Sequence, residues 1–257
     1  LDTCYASPAN PAAHGFMDGL SLHYYVLPGD WDSKGSATDF DENTWYVTMK
    51  KALYIEDLIK MHSHIMDEFD PEKKIGLMVD EWGCWFDVEP GTNPGFLYQQ
   101  STMRDALVAA VSLNIFNKHC DRVKLACIAQ TVNVLHMYKY HQGAQLLDSR
   151  LVGAGTAGAE ENSVPALQES VSVQEDGTVT VTVANLSVEK SYPVELVFME
   201  KKPERAEARI LTNEMHAKNT FEKPDTVKEE AFDGVTLTER GASFTIPACS
   251  VVSLRLA

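Results

Sequence analysis

The spacing of apolar residues changes character twice along the 257-residue chain. A continuous apolar run from Ile75 to Val79 leads into Asp80 and Glu81, and two further runs cover Leu20 to Tyr24 and Val123 to Ala129. Unbroken runs of this kind suit strands buried on both faces, as in a parallel sheet under helices. Between them the period lengthens. Trp45, Met49, Leu53, Leu58, Ile65 and Phe69 recur at three-to-four spacing, which predicts one helix from Thr44 to Phe69. Asn43 or Thr44 can cap its start, and Pro71 follows its end. A second helix is predicted over Tyr98 to Lys118, where Ala106, Ala109 and Ala110 permit close packing. Strand, helix, strand, helix, strand is the rhythm of parallel βα units.

After the small residues of 153–158 the period falls to two. Short alternating runs cover Val171 to Val173, Val179 to Val183, Val194 to Phe198, Ala208 to Leu211, Val235 to Thr238, Ser243 to Ile246 and Val251 to Leu256. Short strands separated by turn signals such as Asp176-Gly177 argue for an antiparallel sandwich. The expected division is 1–150 and 151–257, with the boundary between residues 145 and 165. Two polar stretches read as loop, Leu1 to Gly15 and Gly29 to Asn43; a connection as long as the second is usually functional or mobile.

A complete (β/α) barrel takes about 250 residues and eight strands. The α/β part here has three strand candidates. It is therefore either a small open α/β sheet or the last part of a barrel whose beginning is absent, in which case Leu1 is not the true start.

Composition narrows the partners. A net charge of -15 and a pI near 4.9 argue against nucleic acid and anionic membrane surfaces, both of which reward basic patches. No run of 18 apolar residues is present to span a bilayer. Cys4, Cys84, Cys120, Cys127 and Cys249 are odd in number and lack metal spacing, so they read as reduced thiols in a cytoplasmic-type compartment.

Chemistry-bearing residues gather where the three strands end: His23, Tyr24 and Tyr25; Asp80, Glu81, Trp82 and Trp85; Gln130 and Asn133. Parallel neighbours would bring all three groups to one rim. Aromatic rings with a carboxylate, an imidazole and a carboxamide form a sugar-binding inventory, rings against the apolar ring face and polar groups on the hydroxyls. Strand side chains alternate, so Asp80 and Glu81 are expected on opposite faces, with only one at the rim.

Four segments then carry a family resemblance: Asp-Gly-Leu-Ser-Leu-His-Tyr-Tyr at 18–25, Val-Asp-Glu-Trp-Gly at 79–83, Arg-Asp-Ala-Leu-Val-Ala-Ala at 104–110 and Ile-Ala-Gln-Thr-Val-Asn-Val-Leu at 128–135. In this order, from Phe16 onward, they resemble the C-terminal part of glycoside hydrolase family 51, the retaining α-L-arabinofuranosidases. The stretch from Phe244 to Leu256 resembles the close of that family's sandwich domain. The resemblance implies the C-terminal part of a (β/α)8 barrel followed by an antiparallel, jelly-roll-like β-sandwich. It implies Glu81 as the catalytic nucleophile, with His23, Tyr25, Trp85 and Gln130 binding substrate. Asp80 would turn away to a structural partner. No metal or organic cofactor is implied.

The sequence departs from the family pattern in two places. The family's acid/base glutamate follows an asparagine at the end of the fourth strand. The Asn-Glu pair here, Asn213-Glu214, falls in the sandwich region and reads as structural. Leu135 also runs directly into His136-Met137-Tyr138-Lys139, a shorter connection than the family's. The chain is thus expected to need an N-terminal portion, on the same or a separate polypeptide, to act on arabinose-containing oligosaccharides or polysaccharides. The resemblance further suggests a cytoplasmic homo-oligomer. A non-catalytic carbohydrate-binding or scaffold role, or a related retaining hydrolase such as a β-1,4-glucanase, stands as the alternative.

Overall fold

The computed structural model describes residues 17–129, 134–199 and 202–257. Its first part holds three parallel strands in sequence order: β1 (Gly19–Val26), β2 (Gly76–Cys84) and β3 (Val123–Ile128). Helices α1 (Glu42–Leu53) and α2 (Ile55–Phe69) connect the first two, and α3 (Met103–Lys118) connects β2 to β3.

The single helix expected over 44–69 is two. Tyr54 N donates to Lys51 O at 3.2 Å, an i→i−3 contact that tightens the turn without proline or glycine. The cap also lies earlier than expected: the Asp41 carboxylate accepts from Thr44 N at 2.8 Å. Helix α3 begins five residues later than periodicity suggests, at a capping box of Thr102 and Asp105.

The helices cover one face of the sheet. Leu77, Val79 and Trp82 are buried there, and Trp82 meets Phe116 of α3 edge-on at 5.0 Å. The opposite face leaves Ser21, His23, Glu81 and Leu125 exposed. Strand β2 is therefore not buried on both faces, as its apolar run led one to expect. Its second face receives no layer from the described residues of this chain.

A short helix, α4 (Leu135–Tyr138), leads into the second part. Its strands are β4 (Gln145–Leu146), β5 (Thr156–Ala157), β6 (Val164–Pro165), β7 (Leu167–Val173), β8 (Val179–Asn185), β9 (Tyr192–Val197), β10 (Ala206–Thr212), β11 (Glu230–Ala231), β12 (Thr236–Thr238), β13 (Gly241–Ile246) and β14 (Ser250–Leu256). A six-stranded antiparallel sheet, β11-β10-β14-β8-β7-β4, faces a three-stranded one, β12-β13-β9. Their inner faces supply one core of Val181, Val183, Ile210, Val252 and Leu254 against Val194, Phe244 and Ile246.

Period-two alternation gives β8 a second buried face, Thr180, Thr182 and Ala184. There a polar network ties the two parts together. Asn114 Oδ1 on α3 accepts from Tyr138 Oη, Ser170 Oγ and Thr182 Oγ1 at 2.8–3.0 Å. Trp45, fully buried on α1, donates its indole N–H to Leu186 O at 2.9 Å. These satisfied buried groups hold the strand ends in a fixed relation to the sandwich.

Candidate active site

Strand register brings the predicted residues together. His23 pairs with Glu81 and Tyr25 with Gly83 across β1 and β2. From Ser21 to His23 strand β1 advances two residues while β2 advances three, from Met78 to Glu81. Against β3 the same thing happens, since Val79 pairs with Ala126 and Trp82 with Ile128. One residue of β2 at Asp80–Glu81 is therefore extra relative to both neighbours, a β-bulge.

The bulge overturns the alternation expected of Asp80 and Glu81. Val79 and Trp82, three apart, are both buried on the helix side. Asp80 and Glu81 both reach His23 on the open side. His23 Nε2 lies 3.3 Å from Asp80 Oδ1, and His23 Nδ1 lies 3.4 Å from Glu81 Oε2. Asp80 thus joins the rim instead of turning away from it. Ser21 Oγ donates to Asp80 Oδ1 at 2.7 Å, and the Tyr25 hydroxyl donates to Glu81 Oε2 at 3.1 Å. Both contacts of Glu81 fall on Oε2, which leaves Oε1 without a partner among the described residues.

The electrostatics follow from these contacts. The Ser21 hydroxyl, with support from His23, holds the Asp80 carboxyl below the ordinary carboxylate range. Partial burial and then the Glu81 carboxylate raise the Tyr25 phenol above its usual value, so it stays a donor. Among the described residues no group of three or more His, Cys, Asp or Glu is arranged to hold a metal ion.

The aromatic wall is built from two loops. Trp85 meets Tyr25 at 5.2 Å and Trp31 at 5.5 Å, both edge-on. Lys34 Nζ lies 5.5 Å from the centre of the Trp85 ring and donates to Trp31 O at 2.9 Å. The loop bearing Trp31 is folded by Asp30, whose carboxylate accepts from Asp32 N and Ser33 N at 2.9 and 2.8 Å. Asp87 clamps that loop to the end of β2, accepting from Gly35 N at 3.0 Å. Gly83 is required at the strand end, because at φ 138° a Cβ would stand 2.4 Å from Ala129 O.

Some expected members are elsewhere. Tyr24 points to the helix side and donates to Lys51 O at 2.7 Å, and burial lifts its phenol to about 12. Trp82 is core. Gln130 and Asn133 lie outside the described residues, as does Cys4. Asn213 and Glu214 form a loop turn, with Asn213 donating to Thr226 O at 2.8 Å, as a structural role requires. Sequence reading passed over Ser21 and Trp31. The signal for Trp31 was an indole inside an otherwise polar connection, and it is 64% exposed.

A family model described as the alpha-L-arabinofuranosidase C-terminal domain matches residues 80–250. An intracellular exo-alpha-L-arabinofuranosidase of Bacteroides ovatus is 40% identical over 261 residues, covering 93% of this chain and 51% of that protein. An intracellular exo-alpha-(1->5)-L-arabinofuranosidase of Streptomyces lividans is 25% identical, covering 95% of this chain and 40% of that one. The crystal structure of the GH51 arabinofuranosidase from Xanthomonas axonopodis pv. citri superposes with a TM-score of 0.91 at 38% identity, over 95% of this chain and 54% of that one. The chain spans about half the length of the relatives it matches, or less.

Proposed function

The chain belongs to the α-L-arabinofuranosidases of glycoside hydrolase family 51, whose C-terminal portion it matches, and from that premise we propose that it carries the nucleophile of a retaining arabinofuranosidase. The observation that carries this reading is the arrangement of Glu81 at the end of β2. Oε2 takes the Tyr25 hydroxyl and faces His23, while Oε1 has no described partner. With its described contacts gathered on one oxygen, the carboxylate presents the other to an incoming anomeric carbon.

Oε1 attacks the anomeric carbon of a terminal arabinofuranose as the glycosidic C–O bond breaks, giving a glycosyl ester of Glu81. Water then attacks the same carbon, releasing arabinose with retained configuration and returning the carboxylate. A second carboxyl group must protonate the leaving oxygen and later take the proton of that water, and retaining geometry puts it about 5 to 5.5 Å from Glu81. We assign that group to an N-terminal portion that also supplies the layer missing from the open face of the β1–β2–β3 sheet and closes it into a barrel. The end of the barrel then lies before Gln145 and the sandwich begins with β4, a few residues earlier than the expected division at 150, because Gln145 and Leu146 pair with β7.

Trp85, Tyr25 and Trp31 supply ring faces for the apolar side of the sugar, and His23 and Asp80 take hydroxyls. The substrate is an arabinose-containing oligosaccharide or polysaccharide, and the names of the relatives favour a site of action inside the cell. No described helix is long and apolar enough to cross a membrane.

Charge removal at either carboxylate tests the assignment in the assembled enzyme. Glu81→Gln keeps shape and fold, and abolishes turnover of an aryl arabinofuranoside. Asp80→Asn keeps the Ser21 contact and retains measurable turnover, with KM the main casualty. Full loss in the Asp80 variant beside an active Glu81 variant would reverse the two roles.

A further inference from the structure

The support behind Trp85 includes a piece of the sandwich. The loop of residues 213–229, between β10 and β11, reaches across to both segments that bear the aromatic wall. His216 Nε2 donates to Phe40 O at 2.6 Å, and the two rings lie 4.5 Å apart at 40°. A carbonyl only accepts, so Nε2 carries the proton in this contact. The Arg104 guanidinium lies 3.7 Å from the Phe40 ring centre and 4.1 Å from that of Phe86. Phe86 directly follows Trp85. His216, Phe40, Arg104 and Phe86 thus form one continuous stack from the sandwich loop to the residue beside the indole.

Arg104 makes this stack sensitive. It is fully buried, and its Nη2 donates to Ser36 O and Ala37 O at 2.8 and 3.2 Å. Nε and Nη1 have no hydrogen-bond partner in the described structure. Asp105, its neighbour in sequence, spends its carboxylate on Thr102 N. With only one nitrogen fixed, the plane of the guanidinium is held by the two rings. Two more bonds anchor the sandwich loop to the segment after β2: Met103 N to Ala217 O at 3.0 Å, and Gln100 Nε2 to Asn219 O at 3.1 Å. Gln99 fixes the backbone on either side of Trp85, accepting from Phe86 N and donating to Cys84 O, each at 2.9 Å.

We infer that His216 is a positioning residue for Trp85, so that the sandwich sets the aromatic wall of the sugar site through the His216–Phe40–Arg104–Phe86 stack. The contribution to substrate binding rests on the proposed function, whereas the positioning of Trp85 does not.

The test labels the chain with 5-fluorotryptophan, which gives four resonances for Trp31, Trp45, Trp82 and Trp85. Trp85→Phe identifies the line of interest. In His216→Ala the Trp85 line shifts or broadens while those of Trp45 and Trp82 hold still. His216→Gln, which keeps an N–H donor to Phe40 O, restores most of it. In the assembled enzyme, His216→Ala raises KM for an aryl arabinofuranoside about three- to tenfold with kcat within twofold, the scale of one lost ring contact. A Trp85 line that stays put, or four lines that broaden together, overturns the inference. A Trp85 line that responds in an assembly releasing no arabinose would overturn the proposed function and leave the positioning role standing.

Discussion

Lowering the pH from 7 to 5 should cost the fold about 2 kcal/mol through one side chain, His141. Its imidazole sits between two sandwich strands, with Nδ1 2.8 Å from Ser172 Oγ on β7 and Nε2 3.1 Å from Thr182 Oγ1 on β8. Thr182 also donates to Asn114 Oδ1 on α3, so the ring abuts the network that joins the two parts of the molecule. Burial disfavours the imidazolium and lowers its pKa from 6.5 to about 4. The unfolded chain therefore takes up the proton first as pH falls. The contribution is complete above the unfolded value, declines between 6.5 and about 4, and is flat below that. At pH 5 the unfolded state is favoured roughly thirtyfold by this group alone, or about 2 kcal/mol. Glu56, lowered to about 2 chiefly by its hydrogen bond with His119, loses its contribution mostly below pH 4.5, outside this window. Urea unfolding followed by tryptophan emission at pH 7 and pH 5 reads the difference as a midpoint shift of about 0.7 to 1 M. In His141→Gln, a neutral donor and acceptor replaces the ring, and the shift should fall by more than half. Equal wild-type midpoints at the two pH values, or an undiminished shift in the Gln variant, would refute the reasoning.

Two further outcomes follow from the geometry. Asp70→Asn should destabilise the chain by about 1.5 to 3 kcal/mol in calorimetry or urea titration, because it strips one of two carboxylate partners from a fully buried guanidinium; among the described residues Arg122 would keep the Asp67 ion pair and its carbonyl bonds to Ile75 and Asp70. Tyr25→Phe should leave the melting temperature nearly unchanged and lower kcat/KM in the assembled enzyme roughly ten- to a hundredfold, the weight of one hydrogen bond to a charged acceptor.

Much of the architecture was legible because it rests on periodicity. Strands β1 and β3 lie within two residues of their apolar runs, β2 starts one residue after its run and continues five residues past Val79 to Cys84, and the alternating runs after residue 160 became paired antiparallel strands. What escaped depends on neighbours in space. The bulge at Asp80–Glu81 is defined by the register of β1 and β3, and nothing within Val-Asp-Glu-Trp-Gly announces it. Strict alternation therefore sent Asp80 to the wrong face. The same extra residue moves Trp82 into the core beside Phe116, although its position in the motif invited a role at the rim. The break at Tyr54 was invisible because an i→i−3 tightening leaves the three-to-four apolar spacing intact. Of the site residues, His23, Tyr25, Glu81 and Trp85 do converge. Ser21 was overlooked as a small polar residue within an apolar strand, and Trp31 because a loop has no periodicity to mark its contacts.

Asp80 and Glu81 now stand side by side on one imidazole, so chemistry must decide which attacks. The assembled enzyme is incubated with a fluorinated arabinofuranoside that accumulates as the glycosyl-enzyme, then digested and sequenced by mass spectrometry. The Tyr25 contact of Glu81, and an Oε1 with no partner among the described residues, predict a single label on Glu81. A label on Asp80, or on no carboxylate of this chain, would contradict the assignment of the nucleophile.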